Sequence, residues 1–242
     1  MAYRSPNLPV PDVLAIGEGF GRWFAVSRRH HGRFLEDIGP DEVETAGPTV
    51  VDLLAALRSV PRDGTDAPPW RTWLLDGIAD RPNHHTRGWR TTIAADRSVD
   101  RTFRAAEQRI HSLIDACGDR DQLVHSDLLH HNVLVSPTAD AVTAVFSWKC
   151  STWGDGLYDL AWCTFWGRWH RTIGALDLWD RVVPSLDGAD AVDVAARHHV
   201  FELHIGANHL GWYATIGDDD GLSWTARQLD ELLEQGPRSY PD

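Results

Sequence analysis

The sequence predicts an α+β chain that is mainly helical. Three observations carry this prediction: two short strand-like runs near the N-terminus, apolar residues at helical spacing from about residue 48 onward, and one hairpin pattern near residues 132–146. The first two strands are Asp12-Val13-Leu14-Ala15-Ile16-Gly17 and Arg22-Trp23-Phe24-Ala25-Val26-Ser27, separated by a Gly-rich turn; two strands alone make a poor domain. Helical spacing begins with Thr49-Val50-Val51-Asp52-Leu53-Leu54 and resumes from Trp70 to Ala79. The clearest helix is expected from Ser98 to Cys117, where Val99, Phe103, Ala106, Ile110, Leu113, Ile114 and Cys117 recur every three or four residues. Ser98 is placed to cap its start and Gly118 to end it. Two apolar runs follow, Asn132–Val135 and Ala141–Phe146, and the turn-forming Ser136-Pro137-Thr138-Ala139-Asp140 joins them into a hairpin. Beyond it, helices are expected near Asp155 to Trp166, Ala191 to Ala214 and Trp224 to Leu233.

With 242 residues, 43% of them hydrophobic, the chain can bury the core of one large domain, or of one domain with a small appendage. Its formal charge of −12, from 35 acidic against 23 basic residues, argues against a nucleic-acid partner, since a phosphate backbone needs net attraction. A small cationic or polyhydroxylated ligand suits it better, although an acidic surface also serves solubility alone. Cys117, Cys150 and Cys163 form no C-x-x-C pair, so neither a zinc knuckle nor a disulfide framework is indicated, and a reducing cytoplasm is the expected location. The N-terminal residues show no apolar signal core and no run is long enough to span a bilayer, so no membrane partner is expected.

Thirteen histidines raise a metal reading, above all His130-His131 beside Asp127 and the series His198, His199, His204, His209. No H-E-x-x-H spacing occurs, and His204 and His209 stand five apart, off the i,i+4 spacing that aligns ligands on one helix face; a metal-dependent hydrolase is therefore disfavoured. The tryptophans read most simply as core and cleft-wall residues.

Chemistry points to the stretch His125-Ser126-Asp127-Leu128-Leu129-His130-His131-Asn132. Because a hairpin sets the start of its first strand beside the end of its second, Asn132 and the Ser147 region should be neighbours. In such a loop Asp127 can accept a proton and Asn132 can offer a carbonyl oxygen to a hard cation. The alternative is a turn whose Asp and Asn bond only local backbone.

The run Leu123 to Val135 resembles the H-G-D-x-x-x-x-N catalytic loop of aminoglycoside and hygromycin-type phosphotransferases, relatives of the protein kinases. Ala144-Val145-Phe146-Ser147-Trp148 and Gly154-Asp155-Gly156-Leu157-Tyr158-Asp159-Leu160-Ala161 resemble that family's V-I-D-W and G-D-P-x-Y-D-L-A segments, in the same order. Upstream, Leu8 to Leu14 and Phe24 to Arg29 resemble the last strands of the small lobe and the hinge. The resemblance implies a kinase-like large lobe over residues 33–242, and a small-lobe remnant with hinge over residues 1–32. It also implies ATP and Mg²⁺ as cofactors and an aminoglycoside-like acceptor. Asp127 would be the catalytic base, Asn132 a magnesium ligand and His125 a positioning residue. Asp159, inside the apolar run Leu157 to Phe165, needs hydrogen-bond donors, and is read as bracing the loop. Asp155 reads as a helix N-cap rather than a ligand.

Two departures from the family bear on activity. Ser147 stands where the family carries the Asp that holds magnesium against the phosphates, and magnesium prefers anionic oxygens. Lys149, where many relatives have Gly, adds a positive charge nearby. Only about twenty residues precede the hinge-like segment, so the glycine-rich strands, the ATP-contacting Lys and its partner Glu have no counterpart in this sequence; an active phosphotransferase could take them from a separate polypeptide. Three functions stay open: an ATP-dependent phosphotransferase, a catalytically impaired relative that binds ligand or partner, and the disfavoured hydrolase. The run Asp218-Asp219-Asp220 would suit either an acidic acceptor pocket or a solvated loop.

Overall fold

A computed structural model describes residues 8–62, 64, 67–80 and 88–239. Residues 1–7, at the start of the first expected unit and of the N-terminal reading, lie outside the described residues, as do 240–242. Strands β1 (Val13–Gly19) and β2 (Arg22–Ser27) form an antiparallel hairpin with Val13 opposite Ser27. Its Leu14, Ile16, Trp23 and Phe24 side chains are exposed, and no third strand joins this sheet among the described residues. The chain is anchored just before the hairpin, where Val145 N donates to Pro9 O at 2.8 Å.

Strand β3 (Arg33–Phe34) leads into α1 (Val43–Arg58), which buries Ala46, Val50, Leu53, Leu54 and Leu57 along one face. Helical structure thus begins before the expected residue 48, and Pro48 is carried inside the helix. Proline breaks the apolar spacing without ending the helix, since it removes only one backbone donor near the N-terminal end. Helix α2 (Trp70–Gly77) follows, then α3 (Trp89–Ala95), which was not anticipated, and α4 (Arg97–Leu113).

Helix α4 corrects both expected caps. Asp96, not Ser98, is its N-cap, accepting from Ser98 N at 2.8 Å and Val99 N at 3.3 Å; a carboxylate also complements the positive helix end. At the other end the α-helix stops at Leu113 and tightens into a 3₁₀ turn over Ile114–Ala116, so Gly118 lies beyond the end.

Strands β4 (Gln122–Val124), β5 (Val133–Val135), β6 (Val142–Val145) and β7 (Thr152–Gly154) come next. The expected hairpin is β5–β6, with Val133 opposite Val145; β3 adds to its other side, while β4 pairs with β7. The rest is helical: α5 (Leu157–Gly167), α6 (Arg171–Gly174), α7 (Leu178–Val182), α8 (Val194–Ile216) and α9 (Asp219–Gln235). Buried residues occur on every side of α8, which packs against α3, α4, α5 and α9 and so forms the centre of the helical layer. Helix α9 begins five residues before the expected Trp224. Asp218 caps it through Gly221 N at 2.9 Å, and Asp219 and Asp220 fill its first turn, so this run starts a helix rather than forming a solvated loop. No helix among the described residues is long and apolar enough to cross a membrane.

Candidate active site

The loop between β4 and β5 is forced into shape. Ser126, His130 and His131 all have positive φ, at 59°, 62° and 65°, which costs free energy for residues with a Cβ and persists only where surrounding bonds impose it. Those bonds come from α5. The buried Asp159 carboxylate accepts from His125 N and Ser126 N, each at 2.8 Å, so one side chain fixes two successive amides. Burial pushes the Asp159 pKa up to about 7 against the opposing pull of the two amide donors. Helix α5 is itself pinned. Asp155, fully buried, accepts from Arg197 Nε at 2.8 Å and from its second nitrogen at 2.9 Å, and takes Leu157 N at 3.1 Å. The N-cap position is Gly156. Asp155 is therefore chiefly the partner of Arg197 rather than the expected cap, because a bidentate guanidinium outweighs one amide donor.

His125 is buried with both ring nitrogens engaged. Its Nε2 donates to Phe146 O at 2.7 Å and its Nδ1 accepts from Asp127 N at 3.2 Å, which defines a neutral tautomer; burial lowers its pKa. The ring thus links the loop to the end of β6. Asn132 completes the frame by donating Nδ2 to Asp127 O at 2.8 Å, while Phe146 N donates to Asn132 O at 2.8 Å. Asn132 Oδ1 receives no donor from the described residues. Asp127, whose side chain is 21% exposed, projects its carboxylate out of this frame, and His130 Nδ1 donates to Oδ1 at 3.2 Å.

Across the hairpin, Ser147 follows Phe146 at φ 63° and ψ 45°, and Lys149 is exposed two residues later. The structure therefore brings His125, Asp127, Asn132, Ser147 and Asp159 into one assembly. The magnesium implied by the resemblance would need anionic oxygens. Ser147 Oγ and Asn132 Oδ1 are neutral, and Asp127 is engaged by His130. Among the described residues no three or more His, Cys, Asp or Glu side chains are grouped to hold a metal ion. This donor set does not fit a firmly held Mg²⁺.

Other contributors escaped the sequence reading. Glu36 accepts from His131 N at 2.8 Å, and Phe34 packs edge-on against the His131 ring at 4.7 Å; both come from about ninety-five residues upstream, where no local pattern marks them. The His130 ring rests against Trp166 at 5.0 Å and Trp162 at 6.0 Å, so α5 supplies an aromatic wall as well as Asp159. The α8 histidines are bonded one by one: His198 bonds Thr164 at 2.9 Å, His204 bonds the Tyr158 hydroxyl at 2.9 Å, and His209 bonds Ile205 O at 2.7 Å while backing the Trp162 and Trp166 rings on the side of the loop. Each has its own partner, so the series does not form the ligand set that a metal-dependent hydrolase would need.

Comparison with known proteins identifies the family. The model of the family described as APH, phosphotransferase enzyme family, matches residues 1–192. The hygromycin-B 4-O-kinase of Escherichia coli is 25% identical over 248 residues, covering 97% of this chain and 69% of that protein. Aminoglycoside phosphotransferase APH(4)-Ia, crystallised with AMP-PNP and hygromycin B, superposes with a TM-score of 0.82 at 25% identity, covering 98% of this chain and 80% of that one. The GDP and kanamycin complex of APH(2″)-IIIa shares the fold, with a TM-score of 0.64 at 15% identity over 95% of this chain and 77% of that one. The fold is thus the kinase-like fold of aminoglycoside phosphotransferases, rich in helix with small sheets, and the chain belongs to the phosphotransferase enzyme family that includes the aminoglycoside and hygromycin kinases.

Proposed function

We propose that the chain binds an aminoglycoside-type molecule, cationic and polyhydroxylated, against the loop from His125 to Asn132, and that Asp127 is the base for ATP-dependent phosphorylation of one of its hydroxyls. The observation that carries this reading is the Asp127 carboxylate, held partly exposed on a backbone that His125, Asn132 and Asp159 fix from three sides. In the step, the acceptor oxygen bonds the γ-phosphorus, the bond from that phosphorus to the β,γ-bridging oxygen breaks with its electron pair leaving on ADP, and the hydroxyl proton passes to Asp127. His125, Asn132 and Asp159 act as positioning residues. The relatives that carry hygromycin or kanamycin in their names or complexes support the acceptor class.

In this reading residues 1–32 are the small-lobe and hinge unit and residues 33–242 the acceptor lobe. The exposed apolar side chains of β1 and β2 favour further strands packing on this hairpin to complete the nucleotide side of the cleft. Ser147 favours a second reading, in which the chain binds the same acceptor and transfers phosphate weakly or not at all, because a neutral hydroxyl replaces the anionic metal ligand.

Titration of the purified chain with hygromycin B and kanamycin, followed by an assay for phosphate transfer from labelled ATP, separates the readings. Acceptor binding with transfer that falls by about 100-fold or more in Asp127→Ala supports the first. Binding without transfer supports the second. Absence of acceptor binding sinks both.

A further inference from the structure

Helix α5 presents two faces. Trp162 and Trp166 face the catalytic loop, whereas Thr164, Gly167 and Arg168 line a separate cavity of about 310 Å³, bounded also by α6, α7 and the residues after α9. Gly167 and Gly174 shape its wall. A Cβ on Gly174 would lie 2.6 Å from Gly167 O, so α6 and the end of α5 meet backbone to backbone.

Two guanidinium groups line this cavity, those of Arg168 and Arg238. The Arg168 side chain is only 19% exposed, and its Nε is buried without a hydrogen-bond partner. Its closest approaches to carboxylates are 4.0 Å to Glu202 and 3.7 Å to Glu231, and Arg238 stands 3.8 Å from Glu202. All three exceed the roughly 2.7–3.2 Å of an N–H···O hydrogen bond. Glu202 does not close the gap. It is buried at the base, it accepts from Thr164 Oγ1 at 2.9 Å, and burial raises its pKa. Neither guanidinium makes a hydrogen bond to any described residue.

Each guanidinium carries five N–H donors in a planar fork that matches an oxyanion, and leaving such donors unmet in a sheltered place costs free energy. Arg238 also lies over the Trp179 ring, 5.7 Å from its centroid, which gives the cavity an apolar side beside the charged one. We propose that this cavity is a second ligand site, separate from the catalytic loop, which takes the carboxylate or phosphate group of a small molecule between Arg168 and Arg238. Asp177 and Asp180, which also line it, favour a ligand whose other end carries hydroxyl or ammonium groups.

The test is NMR of the arginine Nε–Hε groups in the full chain, titrated at constant ionic strength with inorganic phosphate and, separately, with malonate. The Arg168 and Arg238 resonances should shift and saturate with at least one anion. The phosphate arm alone responding assigns a phosphate ligand, and the malonate arm alone a carboxylate ligand. Arg168→Met should abolish the effect, and Arg238→Gln should weaken it roughly tenfold. Arg238 is 39% exposed, so its replacement keeps the test intact should Arg168→Met fail to fold. No saturation with either anion by about 50 mM, or equal affinity in Arg238→Gln, overturns the proposal.

Discussion

The loop from His125 to Asn132 and helix α8 are both rich in histidine, and they use it in opposite ways. On the loop, His125 ties backbone to backbone, His130 donates to Asp127, and His131 lies against Phe34. Every ring there either positions the loop or borders the exposed carboxylate. On α8, His198, His199 and His204 are buried in the core, and burial holds their pKa values down. Histidine density alone thus says little about chemistry. What distinguishes the loop is that its rings act on a backbone already bent into positive φ, whereas those of α8 fill a regular helix.

The difference should appear first in stability. Arg197, in the first turn of α8, holds the buried Asp155 just ahead of α5, so Arg197→Met removes the bidentate partner, leaves only Arg120 at 3.3 Å beside that carboxylate, and is expected to cost about 3 kcal/mol. His130→Ala, at one of the exposed positions of the loop, should cost under about 1 kcal/mol. Urea unfolding of both variants measures the contrast, and equal losses would break it.

A somewhat smaller effect separates the two histidine sets by pH. In the folded chain His204 is lowered to about 3 and His209 to about 4, against 6.5 for a free imidazole, both by burial. Between these values the unfolded chain binds more protons than the folded one. Their stabilising contribution is therefore full above about pH 6.5 and is lost as pH falls towards the folded-state values. Together they should remove about 2–3 kcal/mol on going from pH 7.5 to 5.5. Urea unfolding at the two pH values tests this, and His204→Gln should remove about half of the difference.

Much of this arrangement could be read in the chain. The β5–β6 hairpin follows from two apolar runs around a Ser-Pro turn, and its register sets Val133 opposite Val145, with Phe146 bonding Asn132. Asp159 could be singled out because a carboxylate in an apolar run needs donors, and the structure supplies two from the loop. What could not be read depends on residues distant in sequence. Glu36 meets His131 from 95 positions away, and Arg197 reaches Asp155 across 42. Local chemistry misled as well: Ser98 and Asp96 are both competent caps, and only the observed helix start selects the aspartate. The spacing of the α8 histidines already spoke against a ligand set, and the structure gives His198, His204 and His209 separate partners.

The smallest expected effect is the most informative about function, because it concerns charge at a point where the backbone is already suited to a carboxylate. Ser147 has left-handed φ and ψ, a conformation that Asp and Asn tolerate better than most residues, since a short polar side chain can bond locally. Ser147→Asp should therefore fold as well as the parent, within about 0.5 kcal/mol. It would set an anionic oxygen across the hairpin from Asn132 and Asp127, where the present donors are neutral or already engaged. Affinity for Mn²⁺, read by electron paramagnetic resonance, should rise at least about tenfold, and Lys149→Gly should add a smaller gain by removing a nearby positive charge. A rise in affinity would show that the loop keeps the geometry of a metal-dependent phosphotransferase and lacks only the charge. No change would mean that the bracing by Asp159 and His125 supports acceptor binding alone, with the Ser147 side of the hairpin no longer shaped for a cation.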